Sequence, residues 1–175
     1  AALLLPPYYF ANPSAEGLID FLVNVASDSP LPVYLYNFPR HTQVTLTADL
    51  VEAVRRRAPA VRGLKDSGGD LASAVALKQR FGAEFEVYLG ADGLAFRALE
   101  AGLDGSVTGG GQPVPEFLVE LAARHKVGDH EKAARAQSRL DAWTVARKRF
   151  TLPEPALIKA ALGARLPGFP VAVRA

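Results

Sequence analysis

One pattern recurs five times before residue 127: a short apolar run, a polar or glycine-containing turn, then a segment with apolar positions at helical spacing. The apolar runs are Ala1–Leu5, Pro32–Asn37, Val61–Lys65, Phe85–Gly90 and Gly105–Thr108. The helical segments run from Ser14 to about Ala26, from Thr47 through Ala-Asp-Leu-Val-Glu-Ala-Val-Arg, and over Asp70–Phe81, Gly93–Glu100 and Pro115–Lys126. Ser14 and Thr47 stand where an N-cap oxygen is needed. Strict strand–helix alternation predicts parallel strands joined by right-handed crossovers, because only a crossover returns the chain to the start of a parallel neighbour. After Lys126 the strands stop. Two helical patterns follow, Asp129 to about Phe150 and Glu154–Leu162, then a Pro/Gly-rich tail from Pro167. The expected division is therefore 1–126 for the strand–helix units and 127–175 for an appended helical layer.

Five such units suit an open doubly wound sheet and the larger part of an eight-stranded barrel equally well. No Gly-x-Gly-x-x-Gly follows the first strand and no Gly-Lys-Thr occurs, which removes weight from the nucleotide-binding open sheets and favours the barrel. The opening Ala-Ala-Leu-Leu-Leu reads as a strand buried on both faces with a neighbour on each side, so the chain is expected to continue upstream. The same opening is too short for a membrane span and is cut by Pro6 and Pro7. With 20 basic and 18 acidic residues dispersed along the chain, no basic face for nucleic acid is expected. Zero cysteines exclude disulfides and thiolate metal sites and suit a cytoplasmic enzyme.

In parallel α/β folds the working residues sit at the carboxyl ends of strands. Those positions hold Tyr8 and Tyr9, Tyr36 and Asn37, Lys65 and Asp66, Gly90 to Asp92, and Thr108 to Gly111. Period-two alternation predicts that Lys65 shares a face with Val61 and Gly63, opposite Arg62 and Leu64. On an inward face the amine would be desolvated, which favours the neutral nucleophile that attacks a ketone and forms an iminium electron sink; Gly63 would leave room for substrate. A solvated lysine at a strand end is the plainer alternative, and residue type alone favours it. Tyr36 ends the preceding strand at the same level, where a phenol can shuttle protons or simply pack in the core. Tyr8 and Tyr9, after Pro6-Pro7, form a rigid aromatic loop suited to packing on another subunit or capping a barrel. His41, His125 and His130 lack metal-ligand spacing, the latter two being expected on helix surfaces, so neither metal nor cofactor is assigned.

Tyr36-Asn37-Phe38-Pro39, followed by Gly63-Leu64-Lys65-Asp66-Ser67-Gly68-Gly69-Asp70, resembles the paired signature of the dihydrodipicolinate synthase / N-acetylneuraminate lyase family. Pro7-Tyr8-Tyr9, Leu89-Gly90-Ala91-Asp92 and Gly105-Ser106-Val107 fall where that family has further motifs. The resemblance covers essentially the whole chain. It implies a (β/α)8 TIM barrel with a C-terminal helical extension, class I aldolase or lyase chemistry on a 2-oxo acid such as pyruvate, and homotetramers built as dimers of dimers. By that resemblance Lys65 forms the Schiff base, Tyr36 relays protons and Tyr9 completes the site of a neighbouring subunit. Tyr8, Asn37, Arg40, His41, Gly63, Gly90, Asp92 and Val107 are the implied substrate contacts, the last through the backbone.

Two departures from the family pattern bear on function. The early Gly-Thr-Thr-Gly-Glu loop that holds the substrate carboxylate is absent, so the chain is expected to supply strands four to eight of the barrel. In Pro39-Arg40-His41-Thr42, the place where the synthases carry an arginine before the threonine is taken by His41, with Arg40 one residue earlier. Leu3-Leu4-Leu5-Pro6-Pro7-Tyr8 resembles the dehydratase branch. The leading expectation is a lyase acting on pyruvate or a 2-keto-3-deoxy sugar acid. Dihydrodipicolinate synthesis stands second, and a non-catalytic barrel with a binding or assembly role third.

Overall fold

The structure is a computed structural model describing residues 1–9 and 12–174. The strands are β1 (Ala2–Leu4), β2 (Val33–Asn37), β3 (Val61–Asp66), β4 (Glu86–Leu89) and β5 (Gly105–Ser106). Between them run α1 (Ala15–Ser27), α2 (Pro39–Thr42), α3 (Ala48–Arg57), α4 (Leu71–Phe81) and α5 (Ala95–Glu100); α6 (Pro115–Lys126), α7 (His130–Arg147) and α8 (Glu154–Arg165) follow. The two expected caps are in place, Ser14 accepting from Gly17 N at 3.1 Å and Thr47 from Leu50 N at 3.3 Å, and the structure adds a third, Asp70, which accepts from Ala72 N at 3.0 Å. The single turn α2 lies where only a polar loop is expected. Pro39 starts it, and Gln43, left-handed at φ 55°, ends it before an apolar period can develop.

All four strand pairings are parallel and the order is β1-β2-β3-β4-β5. This order separates the two architectures: a doubly wound sheet reverses direction at a switch point, whereas barrel strands follow one another in sequence. Along the strands burial alternates. Val33, Leu35, Leu64, Val87 and Leu89 are buried against helices, while Tyr34, Tyr36, Lys65, Glu86 and Tyr88 are partly exposed on the other face.

Two expectations about the strands need correction. Val61 does not share the face of Lys65: the register shifts between Val33 and Tyr34, so Val61 pairs with Val33 while Gly63 pairs with Tyr34. The extra residue of this bulge, Arg62, is exposed, and Val61 joins the buried side. Nor is β1 buried on both faces. Among the described residues it pairs with β2 alone, and Leu3 is 49% exposed.

The chain forms two compact units, Ala1–Gly90 with Ala101–Ser106, and Ala91–Glu100 with the residues from Val107 onward. In the first, α1 packs on α3, and Leu18, Leu22, Val51, Val54 and Leu77 join the buried strand residues in the core. In the second, α6 packs on α7 around Ala95, Leu121 and Ala136, with Phe96, Leu99 and Leu118 closing over them. No helix among the described residues is long and apolar enough to cross a membrane.

Candidate active site

The parallel register sets Tyr36 beside Lys65 and Lys65 beside Tyr88, on the face that the helices leave uncovered. Lys65 Nζ lies 4.0 Å from the centroid of the Tyr36 ring, a cation–π distance when the amine is charged. Ser67 Oγ donates to the Tyr36 hydroxyl at 3.4 Å, the long limit of a hydrogen bond. On its other side Tyr36 stacks on Phe38, with centroids 5.3 Å apart and planes 14° from parallel, and Phe38 meets His41 at 4.3 Å. An aromatic series thus leads from the lysine to the exposed turn that carries Arg40 and His41.

A buried clamp beneath this face fixes the strand ends. Asn37 Nδ2 donates to Asp66 Oδ1 at 2.9 Å, the same oxygen accepts from Gly68 N at 2.7 Å, and Asn37 Oδ1 accepts from Leu46 N at 3.0 Å. Both side chains are buried. The clamp holds the turn after β3 against β4, where Gly90 N donates to Asp66 O at 2.7 Å. A side chain at Gly90 would collide with Ser67 Oγ, so this glycine keeps the serine in reach of Tyr36. Asn37, expected at the substrate, therefore lies on the helix side with both ends of its amide engaged in holding the backbone. Gly63 also differs from expectation. The volume its missing side chain vacates is filled by the Tyr34 ring, 2.7 Å from where a Cβ would stand, and by the carbonyl of Glu86, leaving no free space over it.

Below the lysine, Tyr34 and Tyr88 both donate to Glu86 Oε2, at 2.6 and 2.9 Å, with their rings edge to face at 5.9 Å. Burial, then the hydrogen bond to Glu86 and the repulsion of its charge, push the Tyr88 pKa up to about 12. The Tyr34 pKa is also raised, by the hydrogen bond to Glu86 first and burial second. Both phenols therefore favour folding fully below the ordinary tyrosine pKa near 10, and that contribution fades as pH rises through the higher folded-state values. Phenolate absorbance is expected to show a tyrosine titrating at about pH 12. Glu86→Gln should move it downward without restoring the ordinary value, because burial persists; an unmoved midpoint would contradict this trio.

Tyr8 and Tyr9 are 75% and 84% exposed. Asp92 and Val107 belong to the second unit. There the Asp92 carboxylate is 2.7 Å from Arg147 Nη2, and the residue is 7% exposed, so its charge is engaged in a buried ion pair. Val107 is 40% exposed. A groove of about 540 Å³ lies at the opposite ends of the strands, lined by Arg55, Arg62, Arg80 and Phe81 among others. Its cations are largely engaged: Arg80 pairs with Asp49 and Glu52, and the Arg55 guanidinium lies 4.6 Å from the Phe85 ring.

Ser67, Glu86 and the pairing of Asn37 with Asp66 were not among the expected site residues. Only the strand register brings them together, though Ser67 sits inside the motif that carries Lys65. The histidines hold a further surprise: His125 and His130 converge on Glu100.

The sequence and the order of its parallel strands have counterparts among known proteins. Residues 1–173 match the dihydrodipicolinate synthetase family. The chain is 31% identical over 176 residues to 4-hydroxy-tetrahydrodipicolinate synthase 2 of Halalkalibacterium halodurans, covering 96% of this chain and 59% of that protein. It is 32% identical over 141 residues to a 2-dehydro-3-deoxy-D-gluconate/2-dehydro-3-deoxy-phosphogluconate aldolase of Thermoproteus tenax, covering 81% and 44%. Among solved structures, a prophage protein of the dihydrodipicolinic acid synthase family from E. coli K12, in complex with pyruvate, superposes with a TM-score of 0.83 at 30% identity, covering 99% and 58%. The chain thus spans 44–59% of the length of these relatives. Its five parallel strands and flanking helices correspond to part of a (β/α)8 barrel, and the chain belongs to the dihydrodipicolinate synthetase family.

Proposed function

We propose that the chain supplies the Schiff-base half of a class I lyase acting on pyruvate or a 2-keto-3-deoxy sugar acid. The observation that carries this reading is the apposition of Lys65 Nζ and Tyr36 on the open face of the sheet, 4.0 Å apart. The free amine of Lys65 adds to the C2 carbonyl, the carbinolamine loses water, and the iminium withdraws electrons so that a C3 proton or a C3–C4 bond can leave. The resulting enamine carries the electron pair until a proton or an aldehyde carbon takes it. Tyr36 moves the protons of carbinolamine formation and collapse, with Ser67 as its hydrogen-bond partner. The neighbouring clamp of Asn37 and Asp66 keeps the two strand ends in register. Arg40, His41, Tyr8 and the backbone at Gly90 contact the substrate, residues 127–175 form the helical extension, and Tyr9 of one subunit completes the site of another in a dimer of dimers.

Tyr36→Phe separates the roles. The ring under Lys65 remains, so the pyruvate adduct should still accumulate, though more slowly, while turnover falls by about 10²- to 10⁴-fold with the loss of the proton carrier. Unchanged turnover would remove Tyr36 from the mechanism. Substrate class is read from a panel: cleavage of 2-keto-3-deoxy sugar acids supports this reading. Condensation of pyruvate with aspartate semialdehyde alone would favour the synthase instead, and inertness toward both, without adduct formation, would favour an assembly or binding role.

A further inference from the structure

We infer that Glu100, His125 and His130 form a surface site for a divalent transition metal, with Zn²⁺ as the favoured ion. The three residues come from three helix ends: Glu100 closes α5, His125 sits in the last turn of α6, and His130 opens α7. His125 Nε2 and His130 Nδ1 lie 3.1 and 2.7 Å from one and the same oxygen, Glu100 Oε1, and the three potential ligand atoms all lie within 4.8 Å of one another. Ligand atoms bound to zinc at about 2.0–2.2 Å stand roughly 3.3–3.6 Å apart in a tetrahedron. A small rotation of the Glu100 carboxylate therefore opens the cluster to metal spacing, with solvent completing the coordination. Two imidazoles and one carboxylate are borderline donors that suit Zn²⁺ and discriminate against Mg²⁺ and Ca²⁺.

The scaffold fixes the ligands before any ion arrives. The turn between α6 and α7 is closed by Gly128, at φ 75°, whose N–H donates to His125 O at 2.9 Å, while Asp129 N donates to Arg124 O at 2.9 Å. Ala95, Leu121 and Ala136 pack the three helices together beneath the cluster. The side chains are 41%, 26% and 56% exposed for Glu100, His125 and His130, so an ion can enter from solvent. Lys132, in the first turn of α7, is held 2.8 Å from Asp129. The chain has no cysteine and three histidines, of which His41 alone lies outside the cluster, so competing soft donors are few.

The test is calorimetric titration of tag-free protein with ZnCl₂ near neutral pH, with the imidazole proton signals of the three histidines followed by NMR in the same series. The expected result is one saturable equivalent, shifts confined to His125 and His130, and at least tenfold weaker binding in His130→Ala and Glu100→Gln, with His41→Ala unchanged. The NMR readout needs no variant, so it decides the matter even if a substitution harms folding. Absence of saturable binding, binding that survives both cluster substitutions, or shifts at His41 in place of the pair would overturn the site.

Discussion

With Lys65 replaced by arginine, exchange of the pyruvate methyl protons with solvent is expected to fall by about 10³-fold or more while the fold is retained. The substitution keeps a cation over the Tyr36 ring, now 4.0 Å from the lysine nitrogen, and keeps the strand pairing of Tyr36 with residue 65. What it removes is the nucleophile, because a guanidinium stays protonated at any working pH and has no lone pair to offer a carbonyl. A general loss of packing would instead lower the unfolding midpoint. Exchange that continues at the original rate with an unchanged midpoint would show that the enamine, if one forms, is carried by another amine.

The largest expected stability effect lies in the second unit. Arg147 places Nη2 2.7 Å from Asp92 Oδ2 and Nη1 2.5 Å from Glu154, and the Arg147 and Asp92 side chains are only 16% and 6% exposed. The pair is fitted closely: a side chain at Gly110 would strike both Asp92 and Arg147. Among the described residues Asp92 Oδ1 has no hydrogen-bond partner, so Arg147→Met would strand a buried carboxylate. Removing one member of a buried pair costs about 3–5 kcal/mol, whereas replacing both by apolar groups of similar volume is often neutral. Arg147→Met should thus lower the urea midpoint strongly, and adding Asp92→Leu should recover most of the loss. Trp143, the single tryptophan, lies in α7 and donates to Gly110 O at 2.7 Å, so its fluorescence reports on this unit. A loss below about 1 kcal/mol in the single variant would mean that water reaches the pair and screens it.

These two sites differ in how far the sequence reveals them. The strand–helix alternation, the caps at Ser14 and Thr47, and the apposition of Tyr36 and Lys65 follow from local patterns: side-chain period, capping chemistry, and the tendency of consecutive parallel strands to be neighbours. The face of Lys65 was legible relative to Gly63 and Leu64 but not to Val61, because a bulge costs one residue of phase and leaves no composition signal. Gly63 reads as open space in sequence, yet its vacancy is filled by Tyr34 from the adjacent strand. Asn37 reads as a polar residue at an active strand end, while in the fold its amide bridges Asp66 and the backbone of Leu46. The Asp92–Arg147 pair spans 55 positions and the Glu100–His130 contact spans 30, and helical periodicity says nothing about such separations. His125 and His130 are five apart, off any single helical face, and meet only because a tight turn folds α7 back on α6.

The most direct measurement is reduction of the protein with borohydride in the presence of pyruvate, followed by mass analysis of the proteolytic peptides. The account predicts a stable increment corresponding to one reduced pyruvate adduct, confined to the peptide that contains Lys65 and absent from Lys65→Arg. An increment on a different lysine, or no pyruvate-dependent increment at all, would contradict it.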